Sequence, residues 1–133
     1  MKIYVLDASA VIRYLTKGIG EEKVDALMRR SAKGEARLVI SVINWGEALY
    51  SLAKKAGLAE ATADLKTLGA LVESVAADEA HTEAAATIRL NYKLAYADCF
   101  AAALAIRMDA TLVTTDPDFL KLGRKLKILE LTR

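Results

Sequence analysis

The sequence predicts an α/β protein: one three-layer α/β/α domain over residues 1–133, with a central parallel sheet flanked by helices. Three observations predict it. Ile3-Tyr4-Val5-Leu6 is an unbroken apolar run, as in a strand covered on both faces. The apolar spacing then switches to helical at Val11, Ile12 and Leu15, and this strand-to-helix change recurs along the chain. Strands alternating with helices need right-handed crossovers, which put helices on both faces of a parallel sheet. A chain of 133 residues, 54% hydrophobic, with one Pro and seven Gly, suits one core without long linkers.

The elements follow in order. The first strand ends at Asp7, and a short helix is expected over 9–15, with Asp7 or Ser9 suited to cap it. A turn over 18–20 leads to an amphipathic helix over 21–33, with Glu21 and Glu22 in its first turn and Arg29, Arg30 and Lys33 in its last. Gly34 suits the position after that helix. Residues 37–40 read as a second strand. Ser41 can cap a helix over 42–56 that Gly57 ends, and a helix over 59–68 makes a hairpin with it. A third strand is expected over 72–75, then a helix over 79–90 capped by Asp78. A helix over 96–108 leads into a strand over 111–113. Asp116-Pro117 opens a short last helix, with Pro at its first position, and 127–131 closes the sheet.

The charge balance, 19 basic against 17 acidic residues, is too even to mark a nucleic-acid binder by bulk electrostatics. A nucleic-acid role must rest on a local site. One Cys excludes an intramolecular disulfide, and one His with one Cys leaves no zinc ligand set. The chain enters a strand directly and holds no run of ~18 apolar residues, so the expectation is a cytoplasmic protein without a membrane partner.

Several acids occupy unexpected places. Asp7 follows a buried strand, where open α/β sheets place ligands. Glu47 lies among Val42, Ile43, Trp45, Gly46, Ala48 and Leu49, and shares a helix face with Asn44. Asp98 precedes Cys99-Phe100-Ala101-Ala102-Ala103-Leu104-Ala105-Ile106 in a helix apolar all round, which buries it and carries Asp98 inward. An isolated buried carboxylate neutralises unless a cation compensates it. Asp116 follows a strand as Asp7 does, although Asp-Pro with Asp118 also reads as an ordinary helix start. Asp7 and Asp116 end parallel strands and point to one sheet edge, near which the Glu47 and Asp98 helices begin. Four converging carboxylates call for a hard divalent cation, Mg²⁺ or Mn²⁺, of the kind that serves phosphodiester hydrolysis.

The order Asp7-x-Ser9, Asn44-x-x-Glu47, Asp98 opening an Ala-rich helix, and Thr114-x-Asp116-x-Asp118-Phe119 resembles the PIN-domain ribonucleases, and the size resembles their VapC-like toxins. That resemblance spans essentially the whole chain. It implies a sheet of order 3-2-1-4-5, Mg²⁺- or Mn²⁺-dependent endonucleolytic cleavage of RNA, a homodimer, and inhibition by a cognate antitoxin. It implies that Asp7, Glu47, Asp98 and Asp116 are catalytic and hold metal, with Asp118 assisting a second metal position. Ser9, Asn44 and Thr114 would orient ligands or waters. One departure is Ala95, where the family often has Ser or Thr before the Asp98 helix.

Arg13, Lys17, Arg89 and Lys93 are candidates to meet RNA phosphates. His81 is expected on a helix surface and Cys99 in the core. Trp45, Leu49, Leu52 and Ala56 are expected in the core or at a partner interface. Two other readings stand beside the nuclease. A HAD-like phosphatase also starts from an Asp after strand one, but wants an Asp where Ser9 stands and a Lys upstream of the last Asp. A non-catalytic interaction module would leave Glu47 and Asp98 in apolar helices without a cation.

Overall fold

The computed structural model describes residues 1–131. Among them, five strands form one parallel sheet: β1 (Lys2–Leu6), β2 (Ala36–Ser41), β3 (Val72–Val75), β4 (Thr111–Thr114) and β5 (Lys127–Glu130). Their order is β3-β2-β1-β4-β5, the order the family resemblance implies. The helices are α1 (Ala8–Leu15), α2 (Glu21–Ala32), α3 (Val42–Ala56), α4 (Leu58–Leu68), α5 (Glu79–Asn91) and α6 (Tyr96–Arg107). Every expected element is present, with ends displaced by a residue or two. The last helix is a 3₁₀ segment, Pro117–Lys125, broken at Gly123.

β1 lies between β2 and β4, so alternate side chains face opposite layers and both must be apolar. Tyr4 and Leu6 join Leu38, Ile40 and Val113 under residues of α1 to α4. Val5 joins Val39 and Leu112 under Ala85 of α5, the Ala-rich face of α6 and Phe119. This accounts for the unbroken apolar strand. α6 is covered by α5 on one side and the sheet on the other, and Cys99 to Ala105 are all buried.

Helix ends follow local chemistry. Asp7 caps α1 by accepting from the Ala10 N–H at 2.9 Å, and Asp78 caps α5 through the His81 N–H at 2.8 Å. Ala95 supplies no side-chain cap to α6, as its apolar side chain dictates. Gly20, at φ +88°, leaves no room for a side chain: a β-carbon there would lie 2.0 Å from the Leu131 carbonyl oxygen. The turn before α2 therefore packs directly on the chain leaving β5.

One expectation is corrected. His81 is not on the surface; it is 1% exposed. His81, Ala85 and Ile88 recur at helical spacing, so they form the α5 stripe that meets α6. The His81 ring packs edge-on to Phe100, with Nε2 2.8 Å from the Phe100 carbonyl oxygen. The front of α3 is also less covered than its apolar sequence suggests: Val42 and Ile43 are exposed, and Tyr50 is 66% exposed. Along the same helix Leu52 is buried, Trp45 and Leu49 are half-buried, and Ala56 is exposed. Cys99 is buried, as expected.

Candidate active site

β1 and β4 are parallel neighbours, so the residues following them emerge at one edge. A cavity of about 450 Å³ opens there, lined by Asp7, Glu47, Asp98 and Asp116, together with Ser9, Ser51 and Thr115. Four acids from four separate stretches thus line one cavity. No lining residue is basic.

Asp7 is the most tightly held. Its Oδ1 accepts from Ser9 Oγ at 2.6 Å and from the Ala10 N–H, and its Oδ2 accepts from Thr114 Oγ1 at 2.5 Å. The two hydroxyls are oriented in turn, because Ser9 Oγ accepts from the Thr115 N–H and Thr114 Oγ1 from the Asp116 N–H, both at 3.0 Å. With their lone pairs engaged, their protons point at Asp7. Burial nevertheless raises the Asp7 pKa above the usual carboxylate range; these hydrogen bonds oppose the shift and the Glu47 charge adds to it. Asp7 is both the cap of α1 and a wall of the cavity, so the two sequence readings of this residue are compatible.

Asp98 is half-buried, and its pKa is pushed up to about 7 by burial and then by the charges of Asp7, Glu47, Asp116 and Asp118. Glu47 is held by Asn44, which is fully buried and donates from Nδ2 to Glu47 Oε1 and to the Ala97 carbonyl, both at 3.0 Å. Both partners are acceptors, so the amide orientation is determined. Asn44 thereby ties α3 to the first turn of α6, one residue from Asp98. Its Oδ1 is buried without a partner among the described residues.

Asp116 caps the 3₁₀ segment through the Asp118 N–H at 2.9 Å while facing the cavity. Asp118 stands outside the lining, exposed, 3.8 Å from Lys121 Nζ. Ser51 and Thr115 are lining residues that the sequence reading missed. Ser51 had a usable signal, lying one helical turn beyond Glu47. None of Arg13, Lys17, Arg89 and Lys93 lines the cavity. Arg13 closes the turn after α1 by donating to the Ile19 carbonyl at 2.9 Å.

The donor set fits a hard divalent cation: every ionisable group in the lining is a carboxylate, and hydroxyls supply the remaining polar side chains. Among the described residues, no three His, Cys, Asp or Glu side chains are already drawn close enough to hold an ion.

The fold and site define a class: a minimal parallel α/β/α domain with an acidic pocket at the carboxyl edge of its sheet. The PIN domain family model matches residues 4–125, and the chain belongs to that family. No curated protein sequence matches the chain. Solved structures share the fold. A chain of VapBC2 from Rickettsia felis, bound to a DNA fragment from its promoter, is 20% identical with a TM-score of 0.77, covering 96% of this chain and 98% of that one. A chain of DNA-bound VapBC from Salmonella typhimurium is 17% identical with a TM-score of 0.76, covering 98% and 99%. VapC20 from Mycobacterium tuberculosis, a Sarcin-Ricin loop cleaving toxin, is 17% identical with a TM-score of 0.71, covering 90% and 95%. Among the described residues, no helix is long and apolar enough to cross a membrane.

Proposed function

We propose that this protein is a Mg²⁺- or Mn²⁺-dependent endoribonuclease, the toxin of a VapBC-type toxin–antitoxin pair. The observation that carries the proposal is the cavity lined by four carboxylates and no basic side chain, in which burial and then the other acids raise the Asp98 pKa to about 7. Membership of the PIN family and the shared fold with VapBC chains support it, as does the fold shared with VapC20, a Sarcin-Ricin loop cleaving toxin. A cytoplasmic homodimer neutralised by a co-expressed antitoxin completes the reading.

Asp7, Glu47, Asp98 and Asp116 would hold the metal; Asp118, outside the lining but with its charge felt at Asp98, would assist at a second position. When bound, a divalent cation supplies charge neutralisation at a phosphodiester and lowers the pKa of a water. The protein's own contribution is placement. Ser9, Thr114 and the Ala10 N–H fix both oxygens of Asp7, and Asn44 fixes Glu47 relative to α6. Asp98, with its raised pKa, can take a proton at the carboxylate when the site is crowded. Ser9 is spent on holding Asp7, which leaves no group in the acid/base position that the phosphatase alternative requires.

The direct test incubates the purified protein with a panel of structured and single-stranded RNAs, and matching DNAs, in EDTA, Mg²⁺ and Mn²⁺. Metal-dependent internal cleavage of RNA is expected. No cleavage of any RNA with either ion, by protein freed of antitoxin, sinks the proposal.

A further inference from the structure

Two segments leave the acidic cavity side by side. One is the connection over 92–95, which leads into α6 and Asp98; the other is the 3₁₀ segment, which starts at Pro117 on the cavity wall. They are joined away from the cavity by Lys121 Nζ donating to the Lys93 carbonyl at 2.9 Å and Lys125 Nζ donating to Tyr92 Oη at 3.1 Å. Lys125 Nζ also lies 5.7 Å from the centre of the Tyr92 ring. Arg89, Lys93, Lys121, Arg124 and Lys125 are all exposed here, with Asp118 as the nearest counter-charge. These are five of the chain's 19 basic residues, gathered along two segments that adjoin walls of the acidic pocket. Tyr96, at the mouth of the same connection, is 49% exposed and braced edge-on by Phe100 at 5.1 Å.

This arrangement differs from ordinary solvated charge. The lysine stems are held by hydrogen bonds, so less side-chain entropy is lost on binding. An exposed, braced aromatic ring within a basic strip is the combination that single-stranded nucleic acids use, with cations for phosphates and a ring for a base. We infer that residues 92–96 and 117–125 form a track for single-stranded RNA, in which Lys121, Arg124 and Lys125 meet successive phosphates and Tyr96 stacks a base next to the cavity. The track rests on the ribonuclease reading and deepens it by naming the surface that delivers substrate.

The test is binding of a short end-labelled single-stranded RNA, in EDTA to prevent cleavage, across a salt series. The pair Lys121→Gln/Lys125→Gln is compared with wild type and with Lys2→Gln/Lys33→Gln, which removes equal charge on the other face of the sheet, where Lys2 lies over the Tyr4 ring and Lys33 ends α2. Unchanged unfolding midpoints establish that the variants are folded. The track variant is expected to bind at least tenfold more weakly, with a salt slope shallower by about 1.4, from roughly 0.7 per lost contact on a single strand. The control should match wild type. Equal binding by both variants overturns the track, as does equal loss in both. Unchanged RNA binding with lost retention of a co-expressed acidic partner would assign the strip to protein recognition and overturn it too. If wild type cleaves RNA while the track variant binds normally, only the track falls. If wild type neither binds nor cleaves RNA, the underlying function falls with it.

Discussion

Helices α3 and α6 each carry one acid into the cavity from an apolar stretch, yet they are built differently. α6 is covered from Cys99 to Ala105 by α5 and the sheet, so its composition is explained inside the molecule. α3 packs on α1, α4 and α6 but leaves Val42, Ile43 and Tyr50 open. Apolar sequence therefore has two meanings here: core in α6, uncovered surface in α3. The two acids differ accordingly. Asp98 is half-buried and crowded by its neighbours' charge, whereas Glu47 is anchored by one hydrogen bond from Asn44.

The comparison breaks most visibly at Phe100. Phe100→Ala should destabilise the protein by about 3–5 kcal/mol in urea unfolding, since the ring is 3% exposed and braces both His81 and Tyr96. A cost below about 1 kcal/mol would mean that α6 is not the buried helix described.

Asp98→Asn separates site from scaffold. Cleavage should fall by at least about 100-fold, beyond what loss of a supporting residue costs. Metal-free stability should rise by about 2 kcal/mol near neutral pH, a figure already reduced for the solvent access of a half-buried group. The sign follows from linkage. A carboxyl whose folded pKa is raised favours the protonated folded state, so wild type loses stability as pH climbs from the unfolded value near ~3.9 towards the folded value of about 7. The stability gap between variant and wild type in EDTA should widen across that window and level off above it. A gap independent of pH would show that Asp98 is not crowded.

Asn44→Ala tests the tie between the helices. It should cost about 1–3 kcal/mol, because the half-buried Ala97 carbonyl loses a donor and a fully buried side chain is truncated. It should also weaken Mn²⁺ stabilisation measured by thermal unfolding, since Glu47 loses its anchor. Full retention of the Mn²⁺ response would remove Asn44 from the site's support. The smallest effect belongs to Tyr50→Ser on the open face of α3, expected within about 0.5 kcal/mol for the isolated chain. A larger loss would mean that this face is covered in solution.

The alternation of elements was legible because strand and helix periods are local, and so were the candidate acids, because Asp98 interrupts nothing but apolar residues. His81 was not legible: a histidine in a first turn reads as polar, and only the apposition of α6 offers it the Phe100 carbonyl. The open front of α3 was not legible either, since hydropathy reports preference for burial and not whether a neighbour supplies it. The sequence by itself determined the order of strands and helices, their caps, and which acids stand where acids are costly. Tertiary structure alone decided how those acids are held. The Thr114 hydroxyl reaches Asp7 across 107 positions, and Asn44 reaches Ala97 across 53. A parallel sheet brings such distant residues to one edge, and no local pattern encodes the meeting.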